Sequence, residues 1–560
     1  MKHFTLALCL FLPLFSFAQG STEYRKISSL TEWLDEIDNW PEPSYEVERI
    51  RVSIDYEKDS LYYGIQWKAG RDSTIKKRII DKAIRIDDFY IEGFFGGPAI
   101  SYGIKNIQFD QEVRFRNFRG ILIAFNDVVF NDYLGISGAE DYVYYNFISC
   151  DFNAQFQFFD LDIPSRVYLI EPRLDLLFFT RSTGAPEVEI VNGEANYIRF
   201  GGERLSELTI DNMAIEDLNL QNTIIEETAS ITNNSFKSVI ATGTKFPDDN
   251  TYFPFDQISG KLYAQIRKFG NQSPEKYFAS DTMDFDQKEN YDQLIGSYKV
   301  LQDKYQKRGD QDSYNACYVE MKNLETRRLA HIYRKDPSFK SFFTWKINQF
   351  LKTFSAYGTE PARAIIFSFY VIIAFALIYL LFPNHWDSHG KNRIMDRYRF
   401  FLKYVNRDSG IHEVYLDEKK PELLASEDFK FYLEEQGKTA PKFFMATALP
   451  LYRWSVAGTK TFSWFLSKVD VLNGTWSTTE DSKKAGKSVL IIGAFLIALL
   501  YDILIKILNA LMLSINTFTT LGFGEIPIKG LPRYLAIIQG FIGWFMLTIF
   551  SVSLISQLLN

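Results

Sequence analysis

Residues 208–225 read Leu-Thr-Ile-Asp-Asn-Met-Ala-Ile-Glu-Asp-Leu-Asn-Leu-Gln-Asn-Thr-Ile-Ile. Within them Leu208, Ile210, Met213, Ile215, Leu218, Leu220, Thr223 and Ile225 step alternately by two and by three. The same steps return at Asn234, Phe236, Val239, Ala241, Thr244 and Phe246. A helix repeats its apolar face every 3.6 residues and a plain strand every two, so a five-residue unit with two inward positions fits neither. Self-similarity of this kind predicts a solenoid, in which stacked coils share one core and no single coil is stable alone.

The pattern resembles the pentapeptide-repeat right-handed β-helix, with larger residues at inward positions than that family favours. The resemblance implies an exported, mostly-β right-handed β-helix over 80–250, after a flanking segment 19–79. Upstream, Phe125, Val128, Phe130 and Tyr133 keep the rhythm briefly. A β-sandwich is the other architecture that short alternating runs allow. Asp211, Glu216 and Asp217 fall at solvent-facing positions of the repeat. They therefore read as a solvated face and not as the paired carboxylates of a polysaccharide-processing enzyme.

Outward from the repeat, the apolar residues are distributed unevenly. Residues 1–18 carry Lys2 and His3, an apolar run from Phe4 to Phe15 and then Ser16-Phe17-Ala18, the layout of a secretory signal peptide. Cys9 lies in that segment, leaving Cys150 and Cys317, far apart in sequence, with no disulfide framework. The chain has a formal net charge of −7 and 46% hydrophobic residues, which argues against a nucleic-acid partner.

Over 284–355, Tyr291, Leu294, Tyr298, Leu301 and Tyr305 recur at helical spacing, as do Tyr314, Tyr318, Met321 and Leu324 beyond Gly309. This predicts an αα-hairpin, followed over 338–355 by an aromatic helix suited to a membrane interface or to the hairpin's own core.

Three apolar stretches follow, each a candidate membrane span: 364–382, 488–506 and 532–558. Between the first two lies a polar segment, 384–487. Its His385 and His389 lack a third ligand at matching spacing, so no metal site is expected.

Between the last two stretches the chain reads Ser514-Ile515-Asn516-Thr517-Phe518-Thr519-Thr520-Leu521-Gly522-Phe523-Gly524-Glu525-Ile526-Pro527. Two glycines flanking one residue let a backbone take unusual dihedrals and let several copies approach one axis. The segment resembles the pore loop of tetrameric potassium channels. That resemblance implies a pore helix and filter over 507–527, with the carbonyls of Thr520, Leu521, Gly522, Phe523 and Gly524 holding dehydrated potassium ions. Thr519 and Glu525 would flank the filter, and Gly543 would be a gating hinge in the inner helix. Phe523 stands where the family has Tyr, Glu525 where it has Asp, and the family's aromatic anchors are missing from the pore helix.

One filter loop per chain implies a homotetramer in a lipid bilayer, with potassium as the permeant ion and no cofactor. A cleaved signal peptide predicts residues 21–355 outside the inner membrane, 384–487 in the cytoplasm, a loop re-entering from outside and a cytoplasmic C-terminus. Lys391, Arg393, Arg397, Arg399, Lys483, Lys484 and Lys487 fit that placement of 384–487. A sensor would be the exported domain, through an unidentified ligand, or segment 384–487. The rival expectation is a membrane-anchored β-helix scaffold whose pore-like domain does not conduct.

Overall fold

All the inward residues of the quoted repeat are buried in the computed structural model, from Leu208 and Ile210 to Thr223 and Ile225. The structure describes residues 23–65, 71, 75–92, 96–97, 100–120, 122–138, 143–267, 275–279, 283–382, 393–407, 410–436, 442–472, 474–519 and 530–559. The signal-peptide segment, His385 and His389 lie outside them. The chain forms two compact units, Met1–Lys352 and Thr353–Leu559.

In the first unit the strands stack into two sheets, one parallel from Arg25–Ile27 to Ser235–Ile240 and the other from Tyr63–Ile65 to Thr251–Tyr252, parallel except where Tyr63–Ile65 and Gly96–Gly97 pair antiparallel with Ile100–Lys105. Each coil gives one strand to each sheet. Arg204–Asp211, for example, pairs with Glu187–Val191 below and Ile224–Thr232 above. The result is a β-solenoid of about 10 turns, consistent with a pentapeptide-like β-helix.

The corners explain why the chain turns where it does. Ser149, Asp160, Glu171, Arg181, Asn192, Gly202, Asn212, Asn222, Asn233 and Gly243 all have positive φ, and they follow one another at ten or eleven residues. Two such steps close a coil, as from Asn212 to Asn233. Asn and Gly dominate the later corners because they enter the left-handed region at least cost. Inside, Phe109, Phe130 and Phe152 stack with centroids 5.2 and 5.4 Å apart, and Phe158, Phe179 and Phe200 at 5.0 Å each. Aromatic columns thus run along the axis.

Two expectations need correction. The solenoid starts upstream of residue 80, because Ser44–Ser53 pairs in register with Ala83–Glu92 and Arg25–Ile27 adds outside it. Tyr45, Ile50 and Val52 are buried, as are Ile84, Ile86, Phe89 and Ile91, so the two-and-three rhythm was already present in the segment read as flanking. Asp217 is buried and accepts a hydrogen bond from the Ser238 hydroxyl. Nearby, Phe178 and Tyr263 cover the outer side of Leu176, Tyr197 and Ile240.

Both ends of a solenoid expose unpaired strand edges and apolar core, and both need covering. At the first end stands helix α1 (Leu30–Asn39), with Ser29 accepting from the Glu32 N–H and Leu30, Trp33, Leu34 and Ile37 buried. At the other end α2 (Lys288–Arg308) and α3 (Gln311–Lys335) form the expected hairpin, turning at Gly309, whose φ is 74°. Tyr305 donates to the Phe253 carbonyl at 2.7 Å, and the Phe255 N–H donates to the Ser313 hydroxyl at 3.2 Å. One buried cluster runs unbroken from Ile27 to Leu324. Cys150 and Cys317 are buried free thiols within it. Helix α4 (Phe339–Ser355) follows, with Phe339 and Phe343 exposed.

The second unit is helical: α5 (Pro361–Leu381), α6 (Arg393–Asn406), α7 (Ile411–Gln436), α8 (Lys442–Lys468), α9 (Asp481–Thr519) and α10 (Leu531–Leu559). The polar segment between the first two apolar stretches is thus largely helix, with Phe400, Tyr404, Val414 and Leu472 forming a small core of their own. Among the described residues three helices are long and apolar enough to cross a membrane: Pro361–Leu381, Asp481–Thr519 and Leu531–Ile555.

The separation of an outer helix 488–506 from a pore helix 507–519 is not observed. The 39 residues of α9 run as one helix. No glycine falls between Gly493 and Gly522, and no proline between Pro450 and Pro527, so nothing in the chain breaks it.

Candidate functional site: a helix that ends inside a bundle

Asp502, Ala510, Leu513, Ser514, Thr517 and Phe518 are the buried residues of α9, and five of the six lie in its last ten positions. There Tyr379 of α5, Ala510 and Leu513 of α9 and Ala536 of α10 share a small apolar core. A chain of hydrogen bonds runs through the same place. The Tyr379 hydroxyl donates to Gln539 Oε1 at 2.7 Å. Gln539 Nε2 donates to the Ser514 carbonyl at 3.0 Å and to its hydroxyl oxygen at 2.7 Å. The Ser514 hydroxyl donates in turn to the Ile372 carbonyl at 2.7 Å. Tyr379, Ser514 and Gln539 are all buried. In an apolar bundle each of these groups would otherwise stand unsatisfied, which costs several kcal/mol per group in hydrocarbon, about as a lost backbone bond does.

Four residues further along α9 and α10 the backbones touch. A Cβ built on Gly543 would lie 3.0 Å from the Phe518 carbonyl carbon and 3.1 Å from its Cα, and closer still to the carbonyl oxygen. Glycine here lets two helices approach more closely than any side chain permits.

These contacts fix directions. Ser514 meets Gln539 and Phe518 meets Gly543, so the end of α9 runs in the same sense as α10. Tyr379, near the end of α5, meets Gln539, near the start of α10, while Gly358 before α5 faces Ser553 near the end of α10. Helices α5 and α10 are therefore antiparallel. Ser514 bonds Ile372, half-way along α5, and α9 stops five residues later at Thr519. Gly543 is twelve residues into α10, roughly 18 Å from its start at 1.5 Å per residue. The end of α9 therefore packs about that far along α10.

This pairing differs from the expected crossing order. Three crossings with an external loop would make α5 and α10 parallel, with the C-terminus opposite residues 21–355. The observed pairing instead brings the start of α5 and the end of α10 together. Hydropathy counted apolar runs correctly, but a run long enough to cross carries no record of which neighbour it packs against.

A second departure concerns charge. Asp502 is 4% exposed and accepts from Arg397 Nε at 2.8 Å and Nη2 at 3.1 Å, a bidentate pair between α9 and α6. With 384–487 in the cytoplasm and 488–506 a crossing, Arg397 is expected at the inner side and Asp502, four residues from the end of that stretch, near the outer one. The structure brings the two into contact.

Thr519 is the last described residue before the filter segment. Thr520, Leu521, Gly522, Phe523, Gly524 and Glu525 lie outside the described residues. Among the described residues there is no group of three or more metal-ligating side chains. Sequence reading missed Tyr379, Ser514 and Gln539. A signal was available, since Gln539 is an amide in a helix uncharged from Tyr534 to Leu559, and polar residues in such helices turn inward.

Residues 488–560 match a family model described as Ion channel. The C-terminal part of the chain is thus a two-helix ion-channel domain, and the protein is a membrane protein. No curated protein and no solved structure compared with the chain matches it.

Proposed function

We propose that the protein is a homotetrameric cation channel selective for potassium, with the carbonyls of Thr520, Leu521, Gly522, Phe523 and Gly524 as the filter. The observation that carries this reading is the end of α9, whose Thr517 and Phe518 are buried in the bundle just before a Gly-Phe-Gly segment. A helix ending part-way through an apolar bundle directs the partial negative charge of its last carbonyls at that depth, which favours a cation there. Lys506 is the last charged residue of α9, so its last thirteen residues carry no fixed cation. Four copies supply ligands on every side. The β-solenoid, exported behind the signal peptide, is the domain that senses an external ligand and biases gating.

Purified protein reconstituted in liposomes under a potassium gradient tests this. The reversal potential is expected to follow the potassium gradient and to be little moved by sodium. Absence of current from tetrameric, inserted protein would leave the scaffold reading in its place.

A further inference from the structure

We propose that α4 is a membrane-surface helix whose aromatic stripe beds into the headgroup boundary of an anionic bilayer, with Lys340 and Lys346 reaching lipid phosphates. The inference holds whether or not the pore conducts, because it concerns a face outside the channel domain.

At about 100° per residue, Phe339, Phe343, Ile347, Phe350 and Phe354 fall on one arc roughly 80° wide. Ser341, Thr344, Asn348 and Ser355 occupy the far side. Lys340 and Lys346 flank the stripe, each about 60° from its centre, where the long stem lies along apolar surface and the ammonium reaches outward. From Pro337 to Thr359 the chain holds three Lys and no Asp or Glu, a local positive excess in a protein whose net charge is −7. An apolar stripe bordered by lysines suits a helix lying in a bilayer interface, and its charge selects anionic lipid.

The structure removes the alternative that α4 belongs to the hairpin's core. The buried cluster of the first unit ends at Leu324 and holds no residue of α4. Helix α3 meets α4 through Tyr333, whose ring lies 5.5 Å from that of Phe342 and 5.6 Å from that of Trp345, both off the stripe. Phe339 and Phe343 remain 84% and 54% exposed. Adjacent large rings left bare on one helix face mark a surface that a partner covers.

The chain itself points to that partner. Residues 356–360 alone separate α4 from α5, which is long and apolar enough to cross a membrane. So short a link spans ~20 Å at most. The end of the stripe already belongs to α5: Phe354 is buried, and its ring meets that of Phe367 edge-on at 5.9 Å. The link is built rather than slack. Ala356, Tyr357 and Gly358 take φ of 46°, 58° and 97°. The Gly358 N–H donates to the Ser355 hydroxyl at 3.1 Å, and the Thr359 hydroxyl donates to the Ala356 carbonyl at 2.8 Å. Three successive left-handed residues end one helix and let the next start in its own direction.

Spin labels test this in the full-length protein, in nanodiscs of phosphatidylcholine with and without phosphatidylglycerol. In a Cys9→Ser chain, Phe339→Cys, Phe343→Cys, Thr344→Cys and Asn348→Cys each carry one label, while Cys150 and Cys317 are buried. With phosphatidylglycerol, the ratio of oxygen to water-soluble nickel collisions is expected to be several-fold higher at 339 and 343 than at 344 and 348. That contrast is expected to shrink in phosphatidylcholine alone and when Lys340→Gln and Lys346→Gln are combined. Equal nickel access at all four positions would place the stripe in water and overturn the inference. Labels at 339 and 343 shielded from both reagents would show that protein, such as a second copy, covers the stripe, and would overturn it as well. Immersion indifferent to lipid charge and to both lysines would overturn the choice of anionic lipid.

Discussion

The backbone of Gly543 lies against that of Phe518, two residues before Thr520, with no room for a Cβ between them. A hinge role and a contact role for this glycine give different outcomes. A hinge variant would change how often the channel opens and leave selectivity alone. The contact makes Gly543→Ala push the last turn of α9, at an overpacking cost of roughly 1–3 kcal/mol. We expect altered selectivity together with reduced current, read by bi-ionic reversal potentials. Normal selectivity with changed open probability would return the residue to the hinge role.

Gly524→Ala is expected to abolish current without affecting membrane insertion, because a Cβ at a filter position opposes the dihedrals that turn a carbonyl inward. Liposome flux beside a carbonate-extraction control checks it. Ordinary flux from the variant would end the filter assignment.

Breaking the Arg397–Asp502 pair from one side should cost more than replacing both partners. Arg397→Ala leaves a carboxylate that is 4% exposed without its guanidinium, a loss of about 3–5 kcal/mol for a buried pair. Arg397→Met combined with Asp502→Leu keeps volume and removes both charges, and should recover most of that. Thermal unfolding in detergent measures the difference, and an equal loss in both variants would mean the pair is held mainly by solvent-exposed packing.

At the solenoid corner Asn222, exposed and at φ 57°, a β-branched side chain has no favourable conformation. Asn222→Val is expected to destabilise by roughly 1–2 kcal/mol and Asn222→Gly to be close to neutral. Urea denaturation followed by circular dichroism compares them. Equal midpoints would show that the corner does not require the left-handed conformation.

The solenoid was legible because its signal is local and repeated. Two inward residues in every five, from Leu208 to Phe246, are all buried. The start of the ladder was missed because a single coil, Tyr45 to Val52, shows the rhythm once, and one instance cannot be told from an ordinary alternating strand. The hairpin was legible for the same reason, with Tyr298, Leu301 and Tyr305 at helical spacing and Gly309 at the turn. The clamp was not, since Tyr379 and Gln539 are 160 residues apart and nothing in either neighbourhood names the other.

By itself the sequence determined the repeat, the three apolar stretches and the Thr-Leu-Gly-Phe-Gly segment, because periodicity, run length and glycine placement are properties of neighbouring residues. Only the tertiary structure decided that α9 is one helix ending inside the bundle, that α5 runs antiparallel to α10, and that Arg397 and Asp502 form an ion pair. Helices bound for lipid are apolar on every face, so their composition says that they are long enough to cross and not which partner they meet. That choice falls to a few small and polar residues, Gly543, Ser514 and Gln539, whose meaning appears only when the helices stand together.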